Sequence, residues 1–198
     1  MIKKSPFYKN IKLQQNEYFY NNLSRIIKEI KPKRIIEIGT SFGGTTFLIS
    51  NTLKELGLND TLIKSFDIRK SKHYDDIQND NIEYCLEHIF DYKNEILTKP
   101  EYITDFLSKD GVNLILCDGG NKIKEFKLLS GFLKKGDIIM AHDYAPNKEI
   151  FEKDYKDKIW NHMEITDKDI EKSVEKYNLK PYRMDIIKET AWVAKIKE

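Results

Sequence analysis

The sequence predicts an α/β fold, with a doubly wound, mostly parallel sheet of seven strands that ends in an antiparallel hairpin. From residue 33 to residue 145, short apolar runs rich in β-branched residues alternate with stretches of helical periodicity. This alternation is typical of a parallel sheet with helices on both faces. Near the end of the chain, residues 182–187 and 192–196 alternate as two strands with a short connection between them. We expect a single domain over residues 1–198.

The predicted elements follow from apolar periods and from the residues at their boundaries. An amphipathic N-terminal helix is predicted over 13–30, and it ends because residue 31 precedes a proline and so avoids the α region. The predicted strands are 34–38, 62–68, 81–90, 112–117, 137–141, 182–187 and 192–196. The remaining predicted helices are 45–56, 100–109, 122–134 and 166–177, and a glycine follows the first three of them.

The composition excludes several classes of protein. The 198 residues include 34 basic and 32 acidic ones, so the net charge of +2 gives no general reason to expect nucleic acid as a partner. The apolar runs are too short for a membrane span, and the N-terminus lacks the apolar region of a secretory signal. The two cysteines, Cys85 and Cys117, lie in apolar runs and are expected to be buried thiols of a cytoplasmic protein. A homo-oligomer is compatible with these features.

A glycine-rich turn follows the first predicted strand of the core. The segment I-I-E-I-G-T-S-F-G-G carries Glu37, then Gly39, then Gly43 and Gly44 at the start of a helix. Glycines at such a turn let the backbone approach a ligand closely. A dinucleotide fingerprint needs a further glycine where this chain has Ser41, and Glu37 would repel a diphosphate. The turn therefore favours a positively charged cofactor, although any strand–turn–helix unit needs some glycine.

The second core strand ends at Asp67, in the segment S-F-D-I. An acidic residue at the end of this strand is placed to accept hydrogen bonds from ribose hydroxyls. Such a residue is otherwise often part of a turn or a cap. Together with the glycine turn, Asp67 indicates a cofactor that contains a nucleoside and does not need a phosphate.

Polar side chains also follow the fourth and fifth core strands, in C-D-G-G-N and A-H-D-Y. Carboxyl ends of neighbouring parallel strands meet at one edge of the sheet, so we expect Asp118, Asn121, His142 and Asp143 to converge beside the glycine turn. Oxygen-rich ligand sets of this kind suit Mg²⁺. A metal there could lower the pKa of a substrate hydroxyl, with Asp118 or His142 as the general base. Alternatively, Asp118 and Asp143 cap loops or bind substrate directly.

Over roughly residues 30–145 the sequence resembles the class I S-adenosylmethionine-dependent methyltransferases, which have a Rossmann-like fold. The segment E-I-G-T-S-F-G-G is similar to the first motif of that family, an acidic residue followed by G-x-x-x-G. The resemblance implies which residues hold the cofactor. The methionine part would lie among Glu37, Gly39, Thr40, Ser41 and Gly43, the ribose on Asp67 and the adenine near His88 in the segment 87–91, with Asp118 as a further contact.

The residues after the fourth and fifth strands resemble a narrower group, the metal-dependent O-methyltransferases of sugars and antibiotics and the related cephalosporin hydroxylase-like proteins. That group typically shows D-G-D or D-G-x-H and then a doublet such as D-D-Y. The resemblance implies a metal site formed by Asp118, Asn121 and Asp143, with Asp118 and His142 as catalytic residues. The chain departs from the pattern at Asn121 and at His142, and both departures reduce the negative charge of the site.

These features predict an enzyme that methylates the hydroxyl of a small molecule or sugar. A nucleic-acid methyltransferase is an alternative, but the chain lacks the N-P-P-Y or D-P-P-Y tetrapeptide and the Pro-Cys nucleophile of those enzymes. The same features are compatible with a binding protein that holds S-adenosylmethionine without catalysis and, less well, with an NAD(P)-dependent oxidoreductase. Trp160, which follows the fifth strand, is expected either in the core or on the floor of a substrate pocket. The lysines of the segment 122–127 are expected on a solvated face.

Overall fold

A computed structural model describes residues 4–71, 73–77 and 79–198 and shows a three-layer α/β domain. The strands are β1 Lys4–Tyr8, β2 Ile11–Asn16, β3 Arg34–Ile38, β4 Leu62–Phe66, β5 Ile82–Cys85, β6 Phe90–Asp91, β7 Ile96–Leu97, β8 Asn113–Cys117, β9 Ile138–Ala141, β10 Leu179–Pro181 and β11 Val193–Lys197. The helices are α1 Phe19–Ile30, α2 Gly44–Glu55, α3 Tyr74–Ile77, α4 Pro100–Leu107, α5 Lys122–Leu129, α6 Lys148–Ile150, α7 Asp167–Lys176 and α8 Met184–Ile187. A π-helical turn, Phe151–Tyr155, continues α6.

The main sheet has seven strands in the order β10-β11-β9-β8-β3-β4-β5. Five of them, β9, β8, β3, β4 and β5, are parallel, and β11 lies antiparallel between β9 and β10. The predicted fold class and its antiparallel C-terminal pair are therefore confirmed. Because β3 is central, the carboxyl ends of β4, β8 and β9 lie beside the turn that follows it, as the topology of a doubly wound sheet requires.

Apolar side chains cover both faces of the sheet. On β3, Ile36 and Ile38 pack into a cluster with Phe126 on one face, while Ile35 packs into a cluster with Phe19 on the other. All residues of β3 and β8 are buried, as expected for central strands covered on both sides. The thiols of Cys85 and Cys117 are buried and free. Among the described residues, no helix combines the length and the apolar character that a membrane span requires.

The prediction of a helix over 13–30 is wrong at its N-terminal end. The helix begins at Phe19, and residues 11–16 form strand β2, which pairs antiparallel with β1. Ile11 and Leu13 are buried while Lys12 is exposed, the alternation of a half-buried strand. Gln14 has a positive φ of 57°, which a helix does not accommodate. We refer to β1, β2 and their turn, residues 4–16, as the N-terminal hairpin.

Two further boundaries differ from the predictions. The segment expected as a strand over 182–187 forms helix α8 instead, and the strand that pairs with β11 is β10, at 179–181. Arg183 has a positive φ of 44° and turns the chain out of the extended conformation. The buried pair Ile186 and Ile187 packs against the α1 side of the sheet. The third predicted strand, 81–90, is divided into β5 and the short β6.

The N-terminal hairpin packs directly on the start of α2. A Cβ atom added at Gly44 would lie 2.3 Å from the carbonyl oxygen of Lys12 and 2.7 Å from Cα of Leu13. These atoms belong to the backbone, so they cannot move aside without displacing β2. A glycine at position 44 is therefore required for the observed closeness of hairpin and helix.

We expect Gly44→Ala to lower the free energy of unfolding by about 1–3 kcal/mol, the usual cost of inserting a methyl group into a packed contact. Urea unfolding measures this change, and limited tryptic cleavage at Lys9 and Lys12 reports whether the hairpin detaches. Gly120→Ala is the matched control, because its Cβ would have no neighbour closer than 3.8 Å. Unchanged unfolding and unchanged cleavage of Gly44→Ala would contradict the contact.

Candidate active site

The glycine turn joins the end of β3 to the start of α2. Gly39, Ser41 and Gly43 all have positive φ angles, of 94°, 50° and 83°. The amide of Gly39 donates to the carbonyl oxygen of Phe66 at 2.8 Å, which ties the turn to the end of β4. A Cβ atom at Gly39 would lie 2.2 Å from the carbonyl oxygen of Asp118, so only glycine fits between the turn and the end of β8.

Glu37 lies beneath this turn, 1% exposed. Its Oε2 accepts hydrogen bonds from Thr46 Oγ1 and, at 2.6 Å, from Ser65 Oγ, while its Oε1 is buried without a hydrogen-bond partner among the described residues. The pKa of Glu37 is raised to about 7, chiefly by burial and also by the nearby carboxylates of Asp118 and Asp67. The hydrogen bonds from Ser65 and Thr46 oppose this rise. Glu37 lines neither of the two cavities described below, so it acts on them through the turn and through its charge.

The first cavity has a volume of about 340 Å³ and extends from the glycine turn along the ends of β4 and β5. Its walls include apolar groups from Ile38, Phe66, Ile68, Ile89 and Phe90 and polar groups from Asp67, Glu87, His88 and Tyr92. The remaining walls are Gly39, Ser41, Asp118, Gly119 and Gly120. The mixture of flat apolar walls with a few polar groups suits a heteroaromatic ring that carries a sugar.

Asp67 is held at the edge of this cavity by backbone amides. Its Oδ2 accepts from the amide of Ser41 at 2.7 Å, and its Oδ1 accepts from the amide of Arg69 at 3.0 Å. These bonds fix the carboxylate and leave further lone pairs of both oxygens for a ligand. The structure therefore brings together Asp67, His88, Gly39 and Ser41 around one cavity, as the sequence predicts.

The second cavity, of about 290 Å³, lies on the other side of Gly39, Ser41 and Asp118, which line both cavities. The hairpin contributes Lys12, Leu13 and Gln14 to its walls, and the turn and α2 contribute Thr40, Phe42, Gly44 and Thr45. The ends of β8 and β9 and the segments after them contribute Lys122, His142, Asp143, Trp160 and His162. Trp160 thus lies in a pocket wall, one of the two positions expected for it.

Asp118 is oriented by two side chains. Gln15 Nε2 donates to Asp118 Oδ2 at 2.8 Å, and His142 Nδ1 lies 3.0 Å from Asp118 Oδ1. Gln15 is itself fixed, because its Oε1 accepts from the indole nitrogen of Trp192 at 2.9 Å. The orientation of the amide of Gln15 follows from these two bonds, since only its nitrogen can donate to the carboxylate. A chain of hydrogen bonds therefore runs from the core to the site.

The imidazole of His142 is held between two indoles. Its ring lies 5.0 Å from Trp192, nearly parallel at 21°, and 4.9 Å from Trp160. Nε2 is buried and has no hydrogen-bond partner among the described residues. The ring is 3% exposed, so its orientation is set by packing and by the contact with Asp118.

Asp143 is surrounded by donors. Trp160 Nε1 donates to Oδ1 at 2.7 Å, and Lys122 Nζ lies 3.0 Å from Oδ2. Although burial opposes ionisation, the neighbouring side chains of His142 and Lys122 lower the pKa of Asp143 below its ordinary value, and the hydrogen bonds from Lys122 and Trp160 contribute. Burial also opposes the charge of Lys122, but Asp143, Asp118 and Glu164 together raise its pKa. Both groups are therefore ionised at neutral pH.

Asp118, His142 and Asp143 form a donor set that fits a divalent cation. One ligand atom from each lies within 4.8 Å of the others, and two carboxylates with one imidazole suit Mg²⁺ or Mn²⁺. Asp143, His162 and Glu164 form a second such group. Lys122 Nζ, however, lies 3.2 Å from Glu164 Oε2 as well as beside Asp143, so an ammonium already joins the two carboxylates of that group.

Three predicted site residues, Glu37, Gly43 and Asn121, line neither cavity. The side-chain oxygen of Asn121 accepts from the amide of Lys124 at 3.0 Å and caps α5, so we leave Asn121 out of the metal site. Gly43 is the N-cap of α2 and, like Glu37, lines neither cavity. The remaining predicted residues, Gly39, Thr40, Ser41, Asp67, His88, Asp118, His142 and Asp143, line one cavity or both.

Several residues of the site are not predicted from the sequence. Gln15 falls within the helix expected over 13–30, and Lys122 is expected on a solvated face although its side chain is only 12% exposed. Tyr92, which lines the first cavity, donates to Glu125 Oε1 at 2.7 Å and lies beyond the segment expected near adenine. The alternation of Ile11 and Leu13 was the one available signal for the hairpin.

No protein-family model and no curated protein matches the sequence. Solved structures match the fold. The structure of cmcI-D160 with Mg and SAM has a TM-score of 0.64 at 12% identity, covering 97% of this chain and 76% of that one. A structure of a putative caffeoyl-CoA O-methyltransferase from Staphylococcus aureus has a TM-score of 0.55 at 12% identity, covering 96% and 87%.

A third solved structure is the MycE methyltransferase from the mycinamycin biosynthetic pathway, in complex with Mg and SAH. Its TM-score is 0.51 at 15% identity, and the match covers 90% of this chain but 50% of MycE. At these identities the comparisons establish architecture. The chain has the Rossmann-like fold that these solved structures share.

Proposed function

We propose that the chain is an S-adenosylmethionine-dependent methyltransferase that acts on a hydroxyl group of a small molecule or sugar. The observation that carries this proposal is the pair of cavities that share Gly39, Ser41 and Asp118 in their walls. One cavity offers a carboxylate at the end of β4 for a ribose, and the other offers a charged cluster for an acceptor. The solved structures that share the fold include methyltransferases, and two of the solved structures contain Mg with SAM or SAH.

In this proposal the adenosine part of the cofactor lies in the first cavity, with its ribose hydroxyls on Asp67 and its base near His88. The methionine part follows the glycine turn past Ser41 toward Asp118, where the two cavities meet. The negative charge of Glu37, below the turn, favours the positive sulfonium and ammonium groups of the cofactor. The sulfonium methyl group would then face the second cavity.

The acceptor would occupy the second cavity, against Trp160 and the hairpin. In the transfer, the acceptor oxygen forms a bond to the methyl carbon while the bond from sulfur to that carbon breaks. The hydroxyl proton would pass to Asp118, which His142 Nδ1 contacts at 3.0 Å and helps to orient. Gln15 keeps Asp118 in place for this role.

Asp118, His142 and Asp143 would hold a divalent cation, which would supply Lewis acidity that lowers the pKa of a nearby hydroxyl. Mg²⁺ or Mn²⁺ matches the donor set. The residues favour a hydroxyl acceptor over a nucleic-acid base, because D-G-G-N follows β8 where amino-methylating enzymes have D-P-P-Y or N-P-P-Y.

Calorimetry tests the cofactor. We expect S-adenosylmethionine to bind and NAD to give no heat, and we expect Asp67→Ala to weaken S-adenosylmethionine binding at least tenfold, because the ribose loses a charged acceptor. Asp60→Ala is the matched control, since Asp60 is exposed and precedes β4 at its opposite end. The absence of binding to wild-type protein would reject the proposed function.

The raised pKa of Glu37 predicts a pH-dependent stability. A carboxyl group whose pKa rises from 4.5 to about 7 on folding stabilises the folded state below pH 4.5, and that contribution is lost as pH rises through 7. Glu37→Gln, which stays neutral, should therefore be more stable than wild type by roughly 3 kcal/mol at pH 8 and by only about 1 kcal/mol at pH 5.

Chemical denaturation at the two pH values measures this difference for Glu37→Gln. The same variant should bind S-adenosylmethionine more weakly at pH 8, because it lacks the negative charge below the turn. Glu83→Gln serves as control, since the side chain of Glu83 is 60% exposed and should show neither effect. Equal pH dependence in Glu37→Gln and wild type would show that Glu37 is not the buried titrating group.

We also expect turnover to depend on a divalent metal. EDTA should abolish methyl transfer, readdition of Mg²⁺ or Mn²⁺ should restore it, and Asp143→Ala should lose it at any metal concentration. S-adenosylmethionine binding should persist in Asp143→Ala, because Asp143 does not line the first cavity. Full activity in EDTA would reject the role of the metal and leave the cofactor assignment intact.

A further inference from the structure

Lys122, the first residue of α5, turns its side chain back into the charged cluster. Its Nζ lies 3.0 Å from Asp143 Oδ2 and 3.2 Å from Glu164 Oε2, and its backbone amide donates to Glu164 Oε1 at 2.8 Å. The side chain is 12% exposed and lines the second cavity. Lys122 is thus a fixed, partly buried positive charge at the acceptor site.

The two oxygens of Asp143 serve different partners. Oδ2 pairs with Lys122, whereas Oδ1 accepts from Trp160 and lies 3.7 Å from His142 Nδ1. A divalent cation among Asp118, His142 and Asp143 would approach Oδ1 and would share this carboxylate with the ammonium. Two positive charges on one buried carboxylate repel each other, and the repulsion is strong where water is partly excluded.

We propose that Lys122 acts as a built-in cation that lowers the affinity of the Asp118, His142 and Asp143 cluster for divalent metal. The inference rests on the proposed function, because it concerns the metal requirement of the same site. The ammonium offsets part of the negative charge of Asp143 and Glu164 before any metal binds. It thereby stabilises the folded, metal-free site, and it makes the metal a weakly held, exchangeable partner of the cluster.

The test is a titration with Mn²⁺ alone, followed by electron paramagnetic resonance, on wild type and three variants. Lys122→Met removes the charge and keeps the length of the side chain, and we expect it to bind Mn²⁺ at least tenfold more tightly than wild type. Lys122→Arg keeps the charge and should bind as weakly as wild type. Lys127→Met is the matched control, because Lys127 lies on the same helix, 54% exposed and paired with Glu95, and it should leave the affinity unchanged.

Equal or weaker Mn²⁺ binding by a folded Lys122→Met protein would overturn the inference, as would the absence of Mn²⁺ binding by every protein. Circular dichroism and thermal unfolding establish that the variants fold. If Lys122→Met does not fold, Lys122→Gln replaces it, since its amide can still donate to Asp143 and Glu164 without a charge, and the same tightening is expected.

S-adenosylmethionine calorimetry on the same samples separates this inference from the proposed function. The Mn²⁺ titration needs no cofactor. Cofactor binding without an effect of Lys122→Met on Mn²⁺ affinity rejects the inference alone. Tighter Mn²⁺ binding by Lys122→Met without any cofactor binding supports the role of Lys122 and rejects the methyltransferase assignment.

Discussion

The backbone of Gly39 packs against the carbonyl group of Asp118, and the arrangement of the site depends on this contact. A side chain at position 39 would push the turn away from the end of β8, because its Cβ would fall 2.2 Å from that carbonyl oxygen. With glycine, the turn that would hold a cofactor and the strand end that carries Asp118 touch directly. Both cavities consequently share Gly39, Ser41 and Asp118 in their walls.

Opposite charges are paired at this edge, which the near-neutral total of +2 does not reveal. Asp143 and Glu164 face Lys122 within a few ångströms, in surroundings where unpaired charges are costly. Glu37, below the turn, has no cation to balance it among the described residues and responds by a raised pKa. Asp143 is therefore stabilised as an ion by its neighbours. The ionisation of Glu37, in contrast, would be favoured by a cationic ligand.

The sequence is informative where local rules and tertiary packing agree. The buried strands β3, β8 and β9 are apolar along most of their length, and the polar residues that follow them, such as Asp118 and Asp143, must meet at the carboxyl edge of a parallel sheet. Their convergence could thus be predicted without knowledge of any side-chain contact. The capping role of Asn121 also depends on residues close to it in the chain. Whether Asn121 caps the helix or binds a metal, however, is decided only by the fold.

The residues that escaped prediction depend on long-range contacts. Gln15 and Asp118 are 103 residues apart, and Gln15 and Trp192 are 177 apart, so no local pattern marks Gln15 as part of the site. Lys122 belongs to a lysine-rich helix start, and only the placement of Asp143 and Glu164 distinguishes it from the lysines that follow. At the other end of the chain, the alternation over 182–187 favours a strand, but the left-handed Arg183 and the buried pair Ile186 and Ile187 give a helix.

The N-terminal hairpin supplies Lys12, Leu13 and Gln14 to the second cavity, yet it pairs only with itself and adds no strand to the main sheet as the described residues form it. The strands of the main sheet hold Asp67, Asp118 and Asp143 at their ends, whereas the hairpin forms a separate wall facing them. The hairpin also carries Gln15, which donates to Asp118, so one segment contributes both to the shape of the second cavity and to the position of a site carboxylate. Exchange of the hairpin sequence therefore changes the shape of the second cavity and the support of Asp118 together, which couples selectivity to reactivity.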